Sequence, residues 1–254
     1  MTWLRCPEGR PGAARRLVCF PHAGGSASFF RLWAAELPAL EVHAVQYPGR
    51  ADRIAEPLPN DVHRLAEEAA DAIEPLADLP LALFGHSMGA VVAFETARAL
   101  ERRGVRLDHL FVSGARAADD PDAAPSNAPL RTDDELAEAL INLGGTDTEL
   151  LADPVLRDLV LPYVRSDFEM FERYGYRAGP PVGCPVTAVF GDTDEHVDAG
   201  HAAAWGELTD GGFSQHEVPG GHFYLITDPP FRLIEQQLGP VACPTTSNPR
   251  GEHG

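Results

Sequence analysis

One pentapeptide in the middle of the chain restricts the possible folds more than any other feature. The sequence Gly85-His86-Ser87-Met88-Gly89 stands between an apolar run, Leu81–Phe84, and a helix pattern that begins at Met88. Strand, Gly-x-Ser-x-Gly and helix in this order are typical of a nucleophile elbow, a tight turn that presents the serine hydroxyl above a sheet. The alternative is a glycine-rich turn with an incidental serine. We expect Ser87 to be a nucleophile.

Short apolar runs alternate with helix patterns along the chain, which predicts an α/β fold. Buried strands between helices indicate a mostly parallel sheet flanked by helices on both faces. One such helix is predicted after Asp61, where apolar residues recur at intervals of three or four from Val62 to Leu76. The predicted strands are Leu17 to Phe20, Val42 to Gln46, Leu81 to Phe84, Leu110 to Ser113, Val186 to Phe190 and Gln215 to Val218.

Residues from about 118 to 181 interrupt this alternation with helix signals and no convincing strand, so we expect a helical insertion within one domain of residues 1–238. A capping box, Thr132-Asp-Asp-Glu135, begins one helix that ends at Gly144-Gly145. Asp153-Pro154 begins another, which Pro162 is expected to kink or split. Residues 239–254 are rich in Pro, Thr and Ser and are expected to be a disordered tail.

Charge and composition exclude several classes of protein. The formal net charge of −18, from 20 Lys and Arg against 38 Asp and Glu, argues against a nucleic-acid binder. No apolar run is long enough to cross a bilayer, and no apolar leader precedes Arg15-Arg16, so we expect a cytoplasmic protein without a membrane segment. The cysteines are scattered, which argues against a zinc site or a disulfide framework: Cys6, Cys19, Cys184 and Cys243.

A serine nucleophile needs a base, and His222 is the best candidate among the ten histidines. It follows the last predicted strand in the glycine turn Pro219-Gly-Gly-His222. This position fits a triad whose residues occur along the chain in the order Ser, acid, His. A lone histidine is more often a surface or core residue than a catalytic one. We interpret five of the other histidines in that way: His43, His63, His109, His201 and His216.

The acid is expected in Gly191-Asp192-Thr193-Asp194-Glu195, after the strand that ends at Phe190. We favour Asp194, which would hold the His222 tautomer and stabilise its imidazolium form. Asp192 is the competitor and would otherwise brace the loop, and a solvated acidic loop is the alternative for the whole cluster. No metal is expected, because the i, i+5 spacing of His196 and His201 does not put both on one helix face.

The tetrahedral oxyanion needs backbone donors, and two N–H groups are expected to supply them. One is that of Met88, directly after the nucleophile, and the other lies in the loop Phe20-Pro-His-Ala-Gly-Gly-Ser26 after the first strand. We choose Ala23 as the second donor. Phosphate or dinucleotide binding is disfavoured, because the lysine and spacing of a P-loop and the Gly-x-Gly-x-x-Gly fingerprint are missing. No cofactor is expected.

Together these segments resemble the type II thioesterases that accompany polyketide synthases and nonribosomal peptide synthetases. The resemblance covers about residues 15 to 238, and no catalytic position departs from the family pattern. The motifs that carry it, in the family's order, are Phe20-Pro-His-Ala-Gly-Gly25, Gln46-Tyr-Pro-Gly-Arg50, Gly85-His-Ser-Met-Gly89, Gly191-Asp-Thr-Asp194 and Pro219-Gly-Gly-His-Phe223.

The resemblance implies an α/β-hydrolase fold with a helical lid. It also implies a substrate, an acyl thioester on the phosphopantetheine arm of an acyl or peptidyl carrier protein, and an editing role that removes aberrant or stalled acyl groups. It supports Asp194, because the family's acid is the second Asp of the Gly-Asp-x-Asp motif.

Three other functions remain open at this point. A carrier-protein acyltransferase also has Gly-His-Ser-x-Gly, but the early Pro-His-Ala-Gly-Gly and late Gly-Asp-x-Asp loops favour a hydrolase. A generic carboxylesterase would share the whole triad, and only a panel of substrates separates it from a thioesterase. A catalytically silent binding protein with this fold would usually have lost a triad residue, and none is lost.

Overall fold

Seven strands form one sheet in the computed structural model, which describes residues 3–121, 132–144 and 153–239. The strand order is β1-β3-β2-β4-β5-β6-β7, and every pair is parallel except β1 with β3. The strands are β1 Leu4–Arg5, β2 Arg16–Phe20, β3 Glu41–Val45, β4 Leu81–His86, β5 His109–Ser113, β6 Val186–Gly191 and β7 Phe213–Val218.

Helices cover both faces of this sheet, so that alternate residues of one strand enter two separate cores. Val18 and Phe20 pack in the larger core with α2 and α3, while Leu17 and Cys19 pack in the second core with α1 and α7. Alternation of this kind follows from the two-residue period of a strand. The helices are α1 Trp33–Glu36, α2 Val62–Ile73, α3 Met88–Arg102, α4 Asp133–Leu143, α5 Pro154–Glu172, α6 Ala199–Ala203 and α7 Phe231–Leu238.

The α/β prediction is confirmed, with two differences at the edges of the sheet. Strand β1 is not among the predicted strands, because it is two residues long and has no periodicity to detect. The last strand was expected to be buried, whereas β7 alternates exposed and half-buried residues. This strand is an edge of the sheet and has a neighbour on one side only.

Two of the described helices, α4 and α5, belong to the predicted insertion and pack on each other through a small core of their own. Its buried residues are Leu136, Ala137, Leu140, Leu161 and Val164. The capping box at Thr132 is present, and Gly144 ends α4 in the left-handed region at φ 80°. Of the two expectations for Pro162, the split is wrong, because α5 runs unbroken from Pro154 to Glu172, and the kink stays a prediction. Leu161 and Val164, on either side of the proline, both pack in the core shared with α4 and hold the two halves together.

Some predictions fall outside the described residues. These are most of the loop that opens the insertion, Gly145, and the tail apart from Gly239. Within the part of the chain that the structure describes, no helix is both long and apolar enough to cross a membrane.

The sheet order creates a crevice beside the nucleophile elbow. Strands β2 and β4 are neighbours, but the chain leaves β2 towards β3 on one side and leaves β4 towards β5 on the other. Loops that diverge in this way open a cleft at the carboxyl ends of the strands, where ligands of α/β proteins bind. The loop after β2 and the elbow after β4 therefore lie side by side at this end of the strands.

The elbow depends on a close approach that only glycine allows. A Cβ at Gly89 would lie 2.3 Å from the Phe20 carbonyl oxygen and 2.5 Å from that of Pro21. We expect Gly89→Ala to lower the free energy of unfolding by about 1 to 3 kcal/mol, although alanine is the better helix former. Urea unfolding measures this, with Gly12→Ala as the control, since nothing lies within 4 Å of a Cβ there. Equal stability of both variants would contradict the close approach.

Candidate active site

The backbone of Ser87 is strained. Its φ of 54° and ψ of −125° lie in a region of backbone conformation that residues other than glycine rarely adopt. The Ser87 N–H donates to the Ser113 carbonyl at 2.8 Å, and a Cβ at Gly85 would lie 2.2 Å from the Gly89 carbonyl oxygen. The strand and the helix thus hold the turn from both sides, and the half-buried serine stands at the end of β4.

His222 contacts both the serine and the favoured acid. Its Nε2 lies 3.1 Å from Ser87 Oγ, and its Nδ1 lies 2.9 Å from Asp194 Oδ2. The Asp194 side chain is fully buried and that of His222 is 7% exposed. The three residues follow the carboxyl ends of β4, β6 and β7, and these ends lie on the same side of the sheet because the strands are parallel. The structure therefore brings together the three side chains that the sequence singled out.

The two candidate acids occupy different places. Asp194 Oδ1 accepts the His196 N–H at 2.9 Å, so both of its oxygens are occupied. Burial is the largest single influence on the pKa of Asp194 and raises it, but the hydrogen bonds and charges of His222 and His196 together outweigh burial. The pKa of Asp194 therefore lies below its ordinary value, and the carboxylate stays ionised. Asp192 Oδ1 accepts the Gly220 N–H at 2.8 Å and thereby ties the β6 loop to the β7 loop. Asp192 therefore lies where the alternative hypothesis placed it, as a residue that braces the loop.

The predicted oxyanion donors stand on two facing segments. Met88 is the first residue of α3, where a helix leaves its N–H groups without an intrahelical partner. The loop after β2 packs on the next residue, because Gly89 lies against the Phe20 and Pro21 carbonyls. Among the hydrogen bonds of the described residues, none takes up the N–H of Ala23 or of Met88.

Two histidines that have no predicted role, His22 and His86, lie beside His222 in the structure. The ring centroids of His86 and His222 are 5.1 Å apart, and those of His22 and His86 are 6.1 Å apart. Burial lowers the pKa of His22 to about 3 and that of His86 well below its ordinary value, so both are neutral. His86 Nδ1 hydrogen-bonds to Ser113 Oγ at 2.9 Å. Both residues lie within recognised motifs, but only the fold shows that they are buried.

One group among the described residues has spacing suited to a metal ion, and it is far in sequence from the elbow. The ligand atoms of Cys6, Glu41 and His43 lie within 4.8 Å of one another. However, Glu41 already accepts from Arg16 Nε at 2.7 Å and from the Arg10 N–H at 3.1 Å. Arginine occupies the carboxylate that would bind a cation.

Comparison with known proteins identifies the family. The thioesterase domain family matches residues 15–238. The thioesterase PikA5 of Streptomyces venezuelae is 48% identical over 227 residues, which are 88% of this chain and 80% of PikA5. The gramicidin S biosynthesis protein GrsT of Aneurinibacillus migulanus is 38% identical over 95% of this chain and 96% of its own.

Solved structures that superpose on this chain are also thioesterases. The type II thioesterase BorB from the borrelidin biosynthetic cluster superposes with a TM-score of 0.80 at 41% identity, covering 93% of this chain and 98% of BorB. RedJ, a thioesterase of the prodiginine pathway of Streptomyces coelicolor, has a TM-score of 0.82 at 38% identity over 89% of this chain and 91% of its own.

The chain belongs to the thioesterase family. Its resemblance to type II thioesterases is confirmed, as is the α/β-hydrolase fold, and the protein is an enzyme that hydrolyses thioesters.

The two acids can be separated by experiment. Asp194→Asn should lower kcat by about 10⁴-fold, because an amide at this position favours the wrong His222 tautomer. Asp192→Asn is the matched control, since its amide oxygen can still accept the Gly220 N–H. Steady-state hydrolysis of acetyl-N-acetylcysteamine measures both variants. The opposite ranking would reassign the acid.

Buried neutral histidines make the fold sensitive to acid. Burial lowers the pKa of His109 from 6.5 to about 4, so between these values the unfolded chain binds a proton that the folded chain does not. Stability is therefore full above the unfolded pKa and falls as the pH drops towards 4. Urea unfolding at about pH 7.5 and about pH 5 should show this loss, and His109→Gln should reduce it by roughly 1 to 2 kcal/mol. An unchanged loss in the variant would contradict the assignment.

Proposed function

We propose that this enzyme is a type II, editing thioesterase that hydrolyses acyl groups from the phosphopantetheine arm of acyl or peptidyl carrier proteins in polyketide or nonribosomal peptide biosynthesis. The observation that carries the proposal is the hydrogen-bonded chain of Ser87, His222 and Asp194 at the elbow. It occurs in a member of the thioesterase family, whose substrates are thioesters.

In the first half of the reaction, Ser87 Oγ attacks the thioester carbonyl while His222 Nε2 takes the hydroxyl proton. The carbonyl oxygen becomes an oxyanion, which accepts from the N–H groups of Met88 and Ala23. When the intermediate collapses, the C–S bond breaks and the proton passes from His222 to the departing sulfur. The products are a free phosphopantetheine thiol and an acyl ester on Ser87.

In the second half, a water molecule attacks the acyl ester and His222 again accepts a proton. Collapse of the second intermediate breaks the bond to Ser87 Oγ, which takes the proton back, and a carboxylic acid leaves. Asp194 acts throughout by holding Nδ1 protonated and stabilising the imidazolium. Its depressed pKa supports this role, because the carboxylate remains charged.

The carrier-protein substrate is supported by the settings of the relatives. BorB is a type II thioesterase from a borrelidin biosynthetic cluster, GrsT is a gramicidin S biosynthesis protein, and YbtT, 34% identical, is a type II thioesterase from a mixed peptide and polyketide pathway. A chain similar to all three over most of its length fits an enzyme that serves such assembly lines.

We also propose that residues 1–238 form one catalytic domain and that 118–181 form its lid. The separate small core of α4 and α5 supports this, because a helical pair with its own apolar contacts can cover the cleft as a unit. The break in the alternation of strands and helices falls at the same place in the sequence.

Substrate comparison tests the proposal. Ser87→Ala should lower kcat by about 10⁴ to 10⁶-fold, since the triad acts as a unit. The wild-type enzyme should have a higher kcat/KM for an acyl-loaded carrier protein than for the same acyl group on N-acetylcysteamine or in an oxygen ester. Release of free acid, measured by mass spectrometry, is the readout.

Each other outcome has a distinct meaning. Full activity of Ser87→Ala would refute the mechanism. Equal or higher kcat/KM for the oxygen ester would make the protein a carboxylesterase, and transfer of the acyl group to an added thiol in preference to water would make it an acyltransferase.

A further inference from the structure

A fully buried ion pair joins the lid to the body of the enzyme. Arg50, in the turn after β3, is 1% exposed at its side chain, and Asp167, on α5, is completely buried. Arg50 Nη2 donates to Asp167 Oδ1 at 2.7 Å, while Nη1 donates to Oδ2, so the contact is bidentate. The guanidinium also lies 5.3 Å from the ring centroid of Tyr47 and 5.0 Å from that of Tyr163.

The same pair holds the loop that carries the second proposed oxyanion donor. Asp167 Oδ2 accepts the Gly24 N–H at 2.8 Å, and Arg50 Nη1 donates to the Gly25 carbonyl at 3.2 Å. These two glycines directly follow Ala23. Each partner of the ion pair therefore makes one bond to the backbone beside the donor.

The lid also touches this loop through apolar contact. Gly24 has φ +78°, and a Cβ there would lie 2.9 Å from Val164 Cγ2, one turn of α5 before Asp167. Val164 is 1% exposed. The helix thus packs so closely on the loop that a side chain at position 24 would not fit.

The motif that contains Arg50 has further contacts with the loop. The Tyr47 hydroxyl donates to the Pro21 carbonyl at 3.2 Å, and the Ala27 N–H donates to Gln46 Oε1 at 3.2 Å. Gln46-Tyr-Pro-Gly-Arg50 supported the family resemblance without any chemical role. Its contacts now give it one, because three of its side chains hold the loop at Pro21, Gly25 and Ala27.

We propose that Arg50 and Asp167 are positioning residues for the reaction: Asp167 reaches from the lid helix to orient the oxyanion loop through the Gly24 N–H, and Arg50 holds Asp167 and Gly25 in place. This inference rests on the proposed triad and oxyanion donors. It makes this part of α5 a component of the catalytic site as well as a cover for it.

The physical basis is the cost of separating these groups. Withdrawal of α5 would break both hydrogen bonds between Arg50 and Asp167 and would leave the Gly24 N–H without its carboxylate acceptor, which is unfavourable. The segment from Val164 to Asp167 is therefore fixed to the body. Any movement of the lid that leaves the enzyme active must occur elsewhere in α4 and α5.

The test compares two double variants that differ only in the side chain at position 167. Both contain Arg50→Met, which removes the arginine charge. The first adds Asp167→Asn, which keeps an acceptor for the Gly24 N–H, and the second adds Asp167→Leu, which has a similar shape but no acceptor. Replacing a buried ion pair by uncharged residues of similar volume often preserves stability. Activity is measured on acetyl-N-acetylcysteamine and expressed per active site titrated with a phosphonate, so that unfolded protein does not count.

We expect kcat of the Asp167→Leu double variant to be about 10 to 100-fold below that of the Asp167→Asn double variant, with KM nearly equal, because the loop acts on the transition state. An alkyl trifluoromethyl ketone, which forms an oxyanion on Ser87, should bind more weakly by the same factor. A purely structural role would change unfolding but neither of these ratios.

The matched control is Tyr174→Phe. The Tyr174 hydroxyl donates to Glu95 Oε1 at 2.7 Å just beyond the end of α5 and has no described hydrogen bond to the oxyanion loop. Its loss should lower stability and leave kcat unchanged. Equal kcat and equal ketone affinity in the two double variants would overturn the proposal.

If either double variant does not fold, Arg50→Lys replaces the comparison. Lysine keeps the charge pair but cannot reach Asp167 and Gly25 as a planar fork, so kcat should fall several-fold at constant KM. Wild-type kcat in that variant would overturn the proposal. Loss of the proposed function has a different signature, because it would appear as activity retained by Ser87→Ala.

Discussion

The tight turn at Ser87 is the constraint on which the rest of the site depends. A serine at φ 54° persists only where the surrounding structure holds the backbone in that conformation. Here β4, α3 and the loop after β2 meet within van der Waals distance at Gly85 and Gly89. The same packing directs the hydroxyl towards His222 and brings the loop after β2, which carries the proposed oxyanion donor Ala23, alongside. Strand order then supplies the remaining groups, because parallel strands deliver β6 and β7 loops to the same edge.

Burial controls the charges around this turn. His22 and His86 are kept neutral by desolvation, whereas Asp194 stays ionised because His222 and the His196 N–H compensate for its burial. The ionised Asp194 carboxylate is therefore bonded to the His222 imidazole inside a buried site. Helix α5 adds a buried ion pair, Arg50 with Asp167, whose hydrogen bonds end on the loop after β2. The position of α5 and the geometry of that loop therefore depend on one hydrogen-bond network.

Local signals in the sequence predict Ser87, His222 and Asp194 as the catalytic residues, since each stands at a fixed offset from a predicted strand, and the structure brings the three side chains within hydrogen-bond distance. The same signals place most strand and helix bounds within a residue or two. These local signals did not predict contacts between residues that are far apart in the sequence. Asp167 lies 117 residues from Arg50 and looks like an ordinary helix position until α5 is folded onto the body. The exposure of β7 likewise depends on its place at the sheet edge, and the continuity of α5 through Pro162 depends on packing against α4.

The proposed mechanism requires that Ser87 is the nucleophile and that the N–H groups of Met88 and Ala23 bind the oxyanion. The most direct measurement is a crystal structure of the enzyme inactivated with an alkyl phosphonate that mimics the tetrahedral intermediate. We expect phosphorus bonded to Ser87 Oγ, with one phosphonyl oxygen about 2.7 to 3.1 Å from both backbone nitrogens and Asp167 still bonded to Gly24. Phosphorus on another residue, or an oxygen turned away from these two N–H groups, would contradict it.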